Sequence, residues 1–106
     1  MEFKELLDFI RYENKRLKAA SPINDEEKRV FVQLAKVYEE LGELSEEILA
    51  HHSMQRKEKL IQREEGNLAD EFADVIITVL ILSDVMGIDI EKSLLKKIDK
   101  IKARIY

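Results

Sequence analysis

The chain has 106 residues, a net charge of −4 and no cysteine, which suits one domain and excludes disulfides and thiolate metal sites. The negative charge disfavours general nucleic-acid binding, and the most apolar run, residues 75–82, is far shorter than the ~20 residues of a membrane span. The N-terminus carries acids and no long apolar core, unlike a secretion signal. We therefore expect a single domain, residues 1–106, in a soluble cytoplasmic protein that binds neither nucleic acid nor membranes.

Two helices are predicted in the first half of the chain. The first runs from about Glu2 to Ala19 and carries a one-sided apolar stripe. Pro22 disfavours its continuation, and Asn24 or Asp25 can cap the second helix, which extends to about residue 50. Apolar residues in this second helix alternate by four and three, the pattern of a seam packed against another helix: Val30, Leu34, Val37, Leu41, Leu44 and Ile48.

Two further helices are predicted after a polar connector that contains a helical piece between Met54 and Glu65. Asn67 can cap the third helix, which ends before Gly87, and Asp89 can cap a fourth that reaches about residue 104. The fold class is all-α, with four main helices in an antiparallel bundle.

The third helix is apolar on every side over residues 75–82, apart from one threonine. A helix of this kind must be covered all round, and three short neighbours in a monomer can hardly do so. We therefore expect the bundle to be completed by dimerisation through the third helix, as a homodimer or a dimer of dimers.

Charge is distributed unevenly along the chain. Residues 36–74 contain eleven acids and five bases, whereas residues 91–106 contain six bases and two acids. An acidic middle and a basic tail suit a ligand made of metal and phosphate, and they equally suit internal pairing between helices.

Two pairs of carboxylates are the candidates for chemistry. Glu40 and Glu43 lie three residues apart, as do Glu71 and Asp74, which places each pair on one face of its helix. Oxygens from two such pairs on facing helices could converge on a hard divalent cation such as Mg²⁺. The spacing also occurs elsewhere in this acidic chain, so a solvated acidic ridge remains the alternative.

Other chemistries have little support in the sequence. His51 and His52 lack the Glu-x-x-His spacing of a ferritin-like di-iron site and are interpreted as loop residues. The glycines are isolated, so no phosphate-binding glycine loop is present.

The segments "KVYEELGELSEEI" and "LADEFADVIITVLILSDVMGIDIEKSL" together resemble the MazG-like all-α nucleoside triphosphate pyrophosphohydrolases. The family pattern, Glu-Glu-x-x-Glu followed after a variable insert by Glu-x-x-Asp, is matched by Glu39, Glu40, Glu43, Glu71 and Asp74. The resemblance covers roughly residues 30–106.

The resemblance implies an Mg²⁺-dependent enzyme, with Mn²⁺ as a substitute, that cleaves a nucleoside triphosphate into a monophosphate and pyrophosphate. It implies that Glu40, Glu43, Glu71 and Asp74 bind the metal. Glu39 is then a candidate catalytic base or a residue that orients a ligand. Candidates for phosphate binding are four basic residues: Lys36, Lys97, Lys100 and Arg104.

Two alternatives stay open at this point. A phosphoribosyl-ATP pyrophosphohydrolase has a similar fold and chemistry. A non-catalytic helical dimerisation module would keep the acidic ridge without turnover.

Overall fold

The computed structural model describes residues 1–21, 23–52 and 67–106, and this part of the chain contains four α-helices and no strand. They are α1 (Phe3–Ala20), α2 (Glu26–His51), α3 (Asn67–Val85) and α4 (Ile90–Lys102). The predicted all-α class is confirmed for these residues, and the predicted helix boundaries agree to within about two residues. The predicted helical piece between Met54 and Glu65 lies outside the described residues.

Local capping explains where the helices begin and end. The Asp25 side chain accepts hydrogen bonds from the backbone N–H groups of Glu27 and Lys28, and the Asp89 side chain accepts one from Lys92. These bonds satisfy N–H groups that have no partner within the helix. After α3, Gly87 takes a positive φ of 70°, and the Ile88 N–H donates to the Ser83 carbonyl at 2.9 Å. The backbone therefore turns sharply at Gly87 and leads into α4.

The central element is α3, which packs against α2 along its length and against α1. Gln33 contacts Thr78, whereas Glu40 approaches Glu71, so α2 and α3 run in opposite directions. The Asn14 side chain donates to the Asp84 carboxylate at 2.7 Å and links α1 to the end of α3. By this arrangement α3 lies between the two N-terminal helices.

The buried core is small and lies between α1 and α3. Its centre is formed by Ile10, Leu80 and Ile81, which are 2%, 7% and 4% exposed. Partly buried apolar residues surround this centre: Leu6, Ile77, Val85 and Ile90. The radius of gyration is 16.9 Å, against about 13 Å for a compact domain of 100 residues. The four helices therefore form an open arrangement rather than a closed globule.

The predicted seam of α2 is partly wrong. Leu44 is buried, but Leu34, Leu41 and Ile48 are 38%, 45% and 37% exposed. The most buried α2 residues are instead Gln33, Leu44, Glu47 and Ala50. The helix is rotated so that a mixed polar and apolar face lies against α3, and much of the apolar seam is left at the surface.

Gly42 and Gly87, the two glycines among the described residues, should respond in opposite directions to substitution by alanine. Gly87→Ala should lower the free energy of unfolding by about 1 kcal/mol, because a Cβ is strained at positive φ. Gly42→Ala should raise it by about 0.5–1 kcal/mol, because Gly42 is inside α2 and a Cβ there meets nothing within 4 Å. Urea unfolding at one protein concentration measures both values. Equal effects of the two substitutions would contradict the assigned backbone geometry.

Candidate metal centre

Three of the four predicted ligands come together between α2 and α3. Glu40, Glu43 and Glu71 each place one carboxylate oxygen within 4.8 Å of the other two. Glu40 and Glu43 lie one turn apart on α2, and Glu71 is on the antiparallel α3. The pairing of these helices is therefore what builds the cluster.

Asp74 lies beside this cluster rather than within it. Its side chain is exposed, yet its negative charge helps to raise the pKa of both Glu40 and Glu71. Asp74 is one turn after Glu71 on α3, so it borders the cluster from the same helix.

The carboxylates are held in an unfavourable environment. Loss of solvent is the first cause that raises the pKa of Glu40 and of Glu71 above the ordinary value of 4.5, and the charge of Glu43 is the second. One buried oxygen of each residue, Oε2, has no hydrogen-bond partner among the described residues. Buried acceptors of negative charge are costly unless they are paired or bound to a metal.

The donor set fits a hard divalent cation. Mg²⁺ and Ca²⁺ prefer carboxylate oxygens at about 2.1–2.6 Å. Two oxygens bound to the same ion can be separated by at most about twice the metal–oxygen distance, or roughly 4–5 Å. The three carboxylate oxygens here lie within 4.8 Å of one another, which is comparable with that separation. The orphaned Oε2 atoms of Glu40 and Glu71 are therefore suitable ligands.

Glu47 is a member of this region that the sequence interpretation missed. It is only 4% exposed, and its charge contributes to the raised pKa of Glu71. It continues the inner face of α2, where residues 33, 37, 40, 44 and 47 follow one another at spacings of four and three. The same periodicity can be found in the sequence, but only if polar residues are allowed on the buried face of α2.

The other predicted site residues lie outside the cluster. Glu39 and Lys36 are each 55% exposed and form an ion pair with each other, 3.6 Å from Nζ to Oε2. Lys97, Lys100 and Arg104 lie in exposed positions on or just after α4. Among the described helices, the backbone of α4 approaches only α3. His51 and His52 are both exposed, at the end of α2.

The sequence matches the MazG nucleotide pyrophosphohydrolase domain over residues 32–105. The chain belongs to this family. The match spans most of the chain and includes α3, α4 and all of α2 from its second turn onward, so it contains every carboxylate of the cluster. No curated protein and no solved structure matched the chain. None of the described helices is both long and apolar enough to cross a membrane.

Removing one charge from the cluster should stabilise the metal-free protein at neutral pH. A carboxyl whose pKa is raised by folding contributes most to stability below its ordinary value of 4.5, and this contribution is lost as the pH rises through the raised value. Glu71→Gln should therefore raise the Tm at pH 7 and flatten the decline of stability that sets in as the pH rises above the ordinary value of 4.5.

Thermal unfolding in a chelator, followed by circular dichroism, measures this effect. Glu2→Gln is the control, because it removes an exposed carboxylate outside the cluster. A fall in the Tm of Glu71→Gln at pH 7, with no change in the control, would contradict the repulsion described here.

Proposed function

We propose that this protein is an Mg²⁺-dependent nucleotide pyrophosphohydrolase that cleaves nucleoside triphosphates to a monophosphate and pyrophosphate. Membership of the MazG family supports the reaction class. The observation that carries the proposal is the convergence of Glu40, Glu43 and Glu71, with two buried oxygens that have no hydrogen-bond partner in the described part of the chain. A solvated acidic ridge would have left these oxygens in water.

The carboxylates have two kinds of role in the proposed reaction, binding of the metal and activation of water. Glu40, Glu43 and Glu71 would hold Mg²⁺, and Asp74 would complete the set by a rotation of its exposed side chain. When bound, Mg²⁺ or its substitute Mn²⁺ would offset the charge of the phosphate oxygens and lower the pKa of a coordinated water. Glu39 would accept the proton of the attacking water or orient that water, once a substrate phosphate draws Lys36 away from it.

The basic residues would bind the phosphates from two directions. Lys36 lies one turn before Glu40 on α2, so a cation stands beside the carboxylates on the same helix. Lys97, Lys100 and Arg104 are exposed on α4 and its C-terminal extension, which is consistent with a role toward another subunit. An Arg fork and Lys point charges both suit phosphate oxygens.

We further propose that two copies of the chain complete the antiparallel bundle. The apolar residues of α4 have little cover within the chain: Leu94, Leu95, Ile98 and Ile101 are 41–59% exposed. On α3, Phe72, Ile76 and Val79 are 42–53% exposed. The expectation that α3 is covered all round is therefore not met by one chain. A second copy would cover both faces and would bring a basic α4 near an acidic centre.

Two alternatives have specific tests. A phosphoribosyl-ATP pyrophosphohydrolase would release pyrophosphate from phosphoribosyl-ATP in preference to ordinary triphosphates, so this compound belongs in the substrate panel. A non-catalytic dimerisation module would bind no Mg²⁺ by calorimetry and would release no pyrophosphate from any substrate.

Loss of a cluster carboxylate should abolish pyrophosphate release. Glu71→Gln and Asp74→Asn should each lower kcat/KM with Mg²⁺ by at least about a hundredfold, because even residues that only orient metal ligands give losses of ten- to a hundredfold. Asp70→Asn is the matched control, an exposed acid one turn before Asp74 on α3. Full activity of Asp74→Asn would exclude it from the site.

The proposed dimer should dissociate when a charge is placed on the apolar face of α4. Ile98→Glu should shift the sedimentation coefficient toward that of the monomer, because Ile98 is half-buried on this face. Ile105→Glu is the control, since Ile105 is 99% exposed beyond the end of α4. A wild-type protein that sediments as a monomer at micromolar concentration would contradict the proposal.

A further inference from the structure

A cavity lies next to the candidate metal centre, and its lining is mostly apolar rather than acidic. It has a volume of about 220 Å³ and lies among α1, α2 and α3. Lys36 and Thr78 line the end nearest the carboxylates, since they lie one turn from Glu40 and Asp74 respectively, or about 6 Å along each helix. One end of the cavity therefore lies beside the place where the phosphates would bind.

The walls of this cavity are mostly apolar. Aliphatic side chains from all three helices and from the α1–α2 connection line it: Leu17, Ile23, Val32, Ile81 and Val85. Pockets for drug-sized ligands have volumes of about 300–1,000 Å³, so this smaller cavity suits one flat ring system rather than a whole nucleotide. A few fixed polar groups among apolar walls are the usual basis of specificity in such pockets.

Two side-chain amides in the cavity wall have a fixed orientation. Gln33 is 8% exposed, and its Nε2 donates to the Thr78 carbonyl at 3.1 Å. If the amide were reversed, Gln33 Oε1 would face the Thr78 carbonyl oxygen, and two acceptors would repel each other. In the observed orientation Oε1 therefore remains available to accept a hydrogen bond from a ligand. The Asn14 amide is held in the same way, because its Nδ2 donates to the Asp84 carboxylate.

Arg29 also lines the cavity. Arg29 Nη2 lies 3.4 Å from the carbonyl oxygens of Lys18 and Ser21 at the end of α1. Its Nε is buried and has no hydrogen-bond partner among the described residues. A buried N–H without a partner costs free energy, and a rotation of the Arg29 side chain that turned this N–H toward the cavity would let a ligand acceptor satisfy it.

We infer that this cavity is the base subsite of the proposed enzyme and that it selects bases carrying an amino group next to a ring nitrogen. Such an edge, found in cytosine and adenine, offers a donor to Gln33 Oε1 and an acceptor to Arg29 Nε–H. Uracil and hypoxanthine present a carbonyl oxygen and an N–H at the same positions, which opposes oxygen to oxygen and donor to donor. This inference rests on the proposed function for the position of the phosphates.

Paired substrates test the inference most directly. CTP and UTP differ only in the 4-substituent and the hydrogen on the adjacent N3, and ATP and ITP differ only in the 6-substituent and the hydrogen on the adjacent N1. The wild-type kcat/KM for pyrophosphate release should favour the amino member of at least one pair by about tenfold, the effect of one good polar edge. Gln33→Met should reduce that ratio to about twofold or less, while turnover of the better substrate persists. A wild-type ratio near one, or a ratio unchanged by Gln33→Met, overturns the inference even if the enzyme is active.

A second pair of variants provides an independent test in case Gln33→Met does not fold. Arg29→Met should also reduce the ratio, whereas the matched Arg16→Met should not, because Arg16 is exposed and pairs with Glu13 away from the cavity. Circular dichroism verifies that each variant is helical. An unchanged ratio in a folded Arg29→Met protein would exclude Arg29 from base recognition.

Binding of nucleosides separates this inference from the proposed function. Cytidine or adenosine, without phosphate or metal, should shift the NMR signals of the Gln33 side-chain amide, and uridine or inosine should do so far less. If no triphosphate is hydrolysed but these shifts appear, the proposed function fails and the subsite stands. If hydrolysis depends on Glu71 but no nucleoside shifts Gln33, the subsite fails alone.

Discussion

The structure depends on bringing like charges together across the α2–α3 interface. Glu40, Glu43 and Glu71 approach one another where solvent is partly excluded. Among the described residues, no hydrogen-bond donor pairs with the buried Oε2 atoms of Glu40 and Glu71. A doubly charged cation would convert this repulsion into attraction, so the most strained contact between the two helices would become a stabilising one.

This constraint explains why α2 buries only part of its apolar seam. A face made of Leu34, Leu41 and Ile48 would pack well against α3 but would direct the carboxylates away from it. The face that does meet α3 carries Gln33, Val37, Glu40, Leu44 and Glu47, which combines apolar residues with polar groups for ligands. The apolar surface displaced by this rotation remains at the exterior, together with the faces of α3 and α4. The orientation of α2 that directs its carboxylates toward α3 thus accounts both for the polar α2–α3 interface and for the apolar surface that the single chain leaves exposed.

Much of the architecture could be predicted from the sequence because it is governed by local chemistry. Asp25, Gly87 and Asp89 determine helix ends through caps and a positive φ, and these effects need no knowledge of tertiary contacts. The carboxylate spacing on each helix likewise follows from helical periodicity. By contrast, the rotation of α2, the burial of Glu47 and the cavity lined by all three helices depend on how α1, α2 and α3 meet, which periodicity does not determine. Apolar spacing favoured one face of α2, and the polar contacts across the interface selected another.

We expect the carboxylates between α2 and α3 to form a site for one or more divalent cations. Diffraction from crystals grown with Mn²⁺, recorded near the manganese absorption edge, tests this expectation. An anomalous peak should lie within bonding distance, about 2.1–2.3 Å, of carboxylate oxygens from Glu40, Glu43 and Glu71. A fully occupied manganese peak elsewhere on the protein, with these three side chains turned apart into solvent, would contradict it.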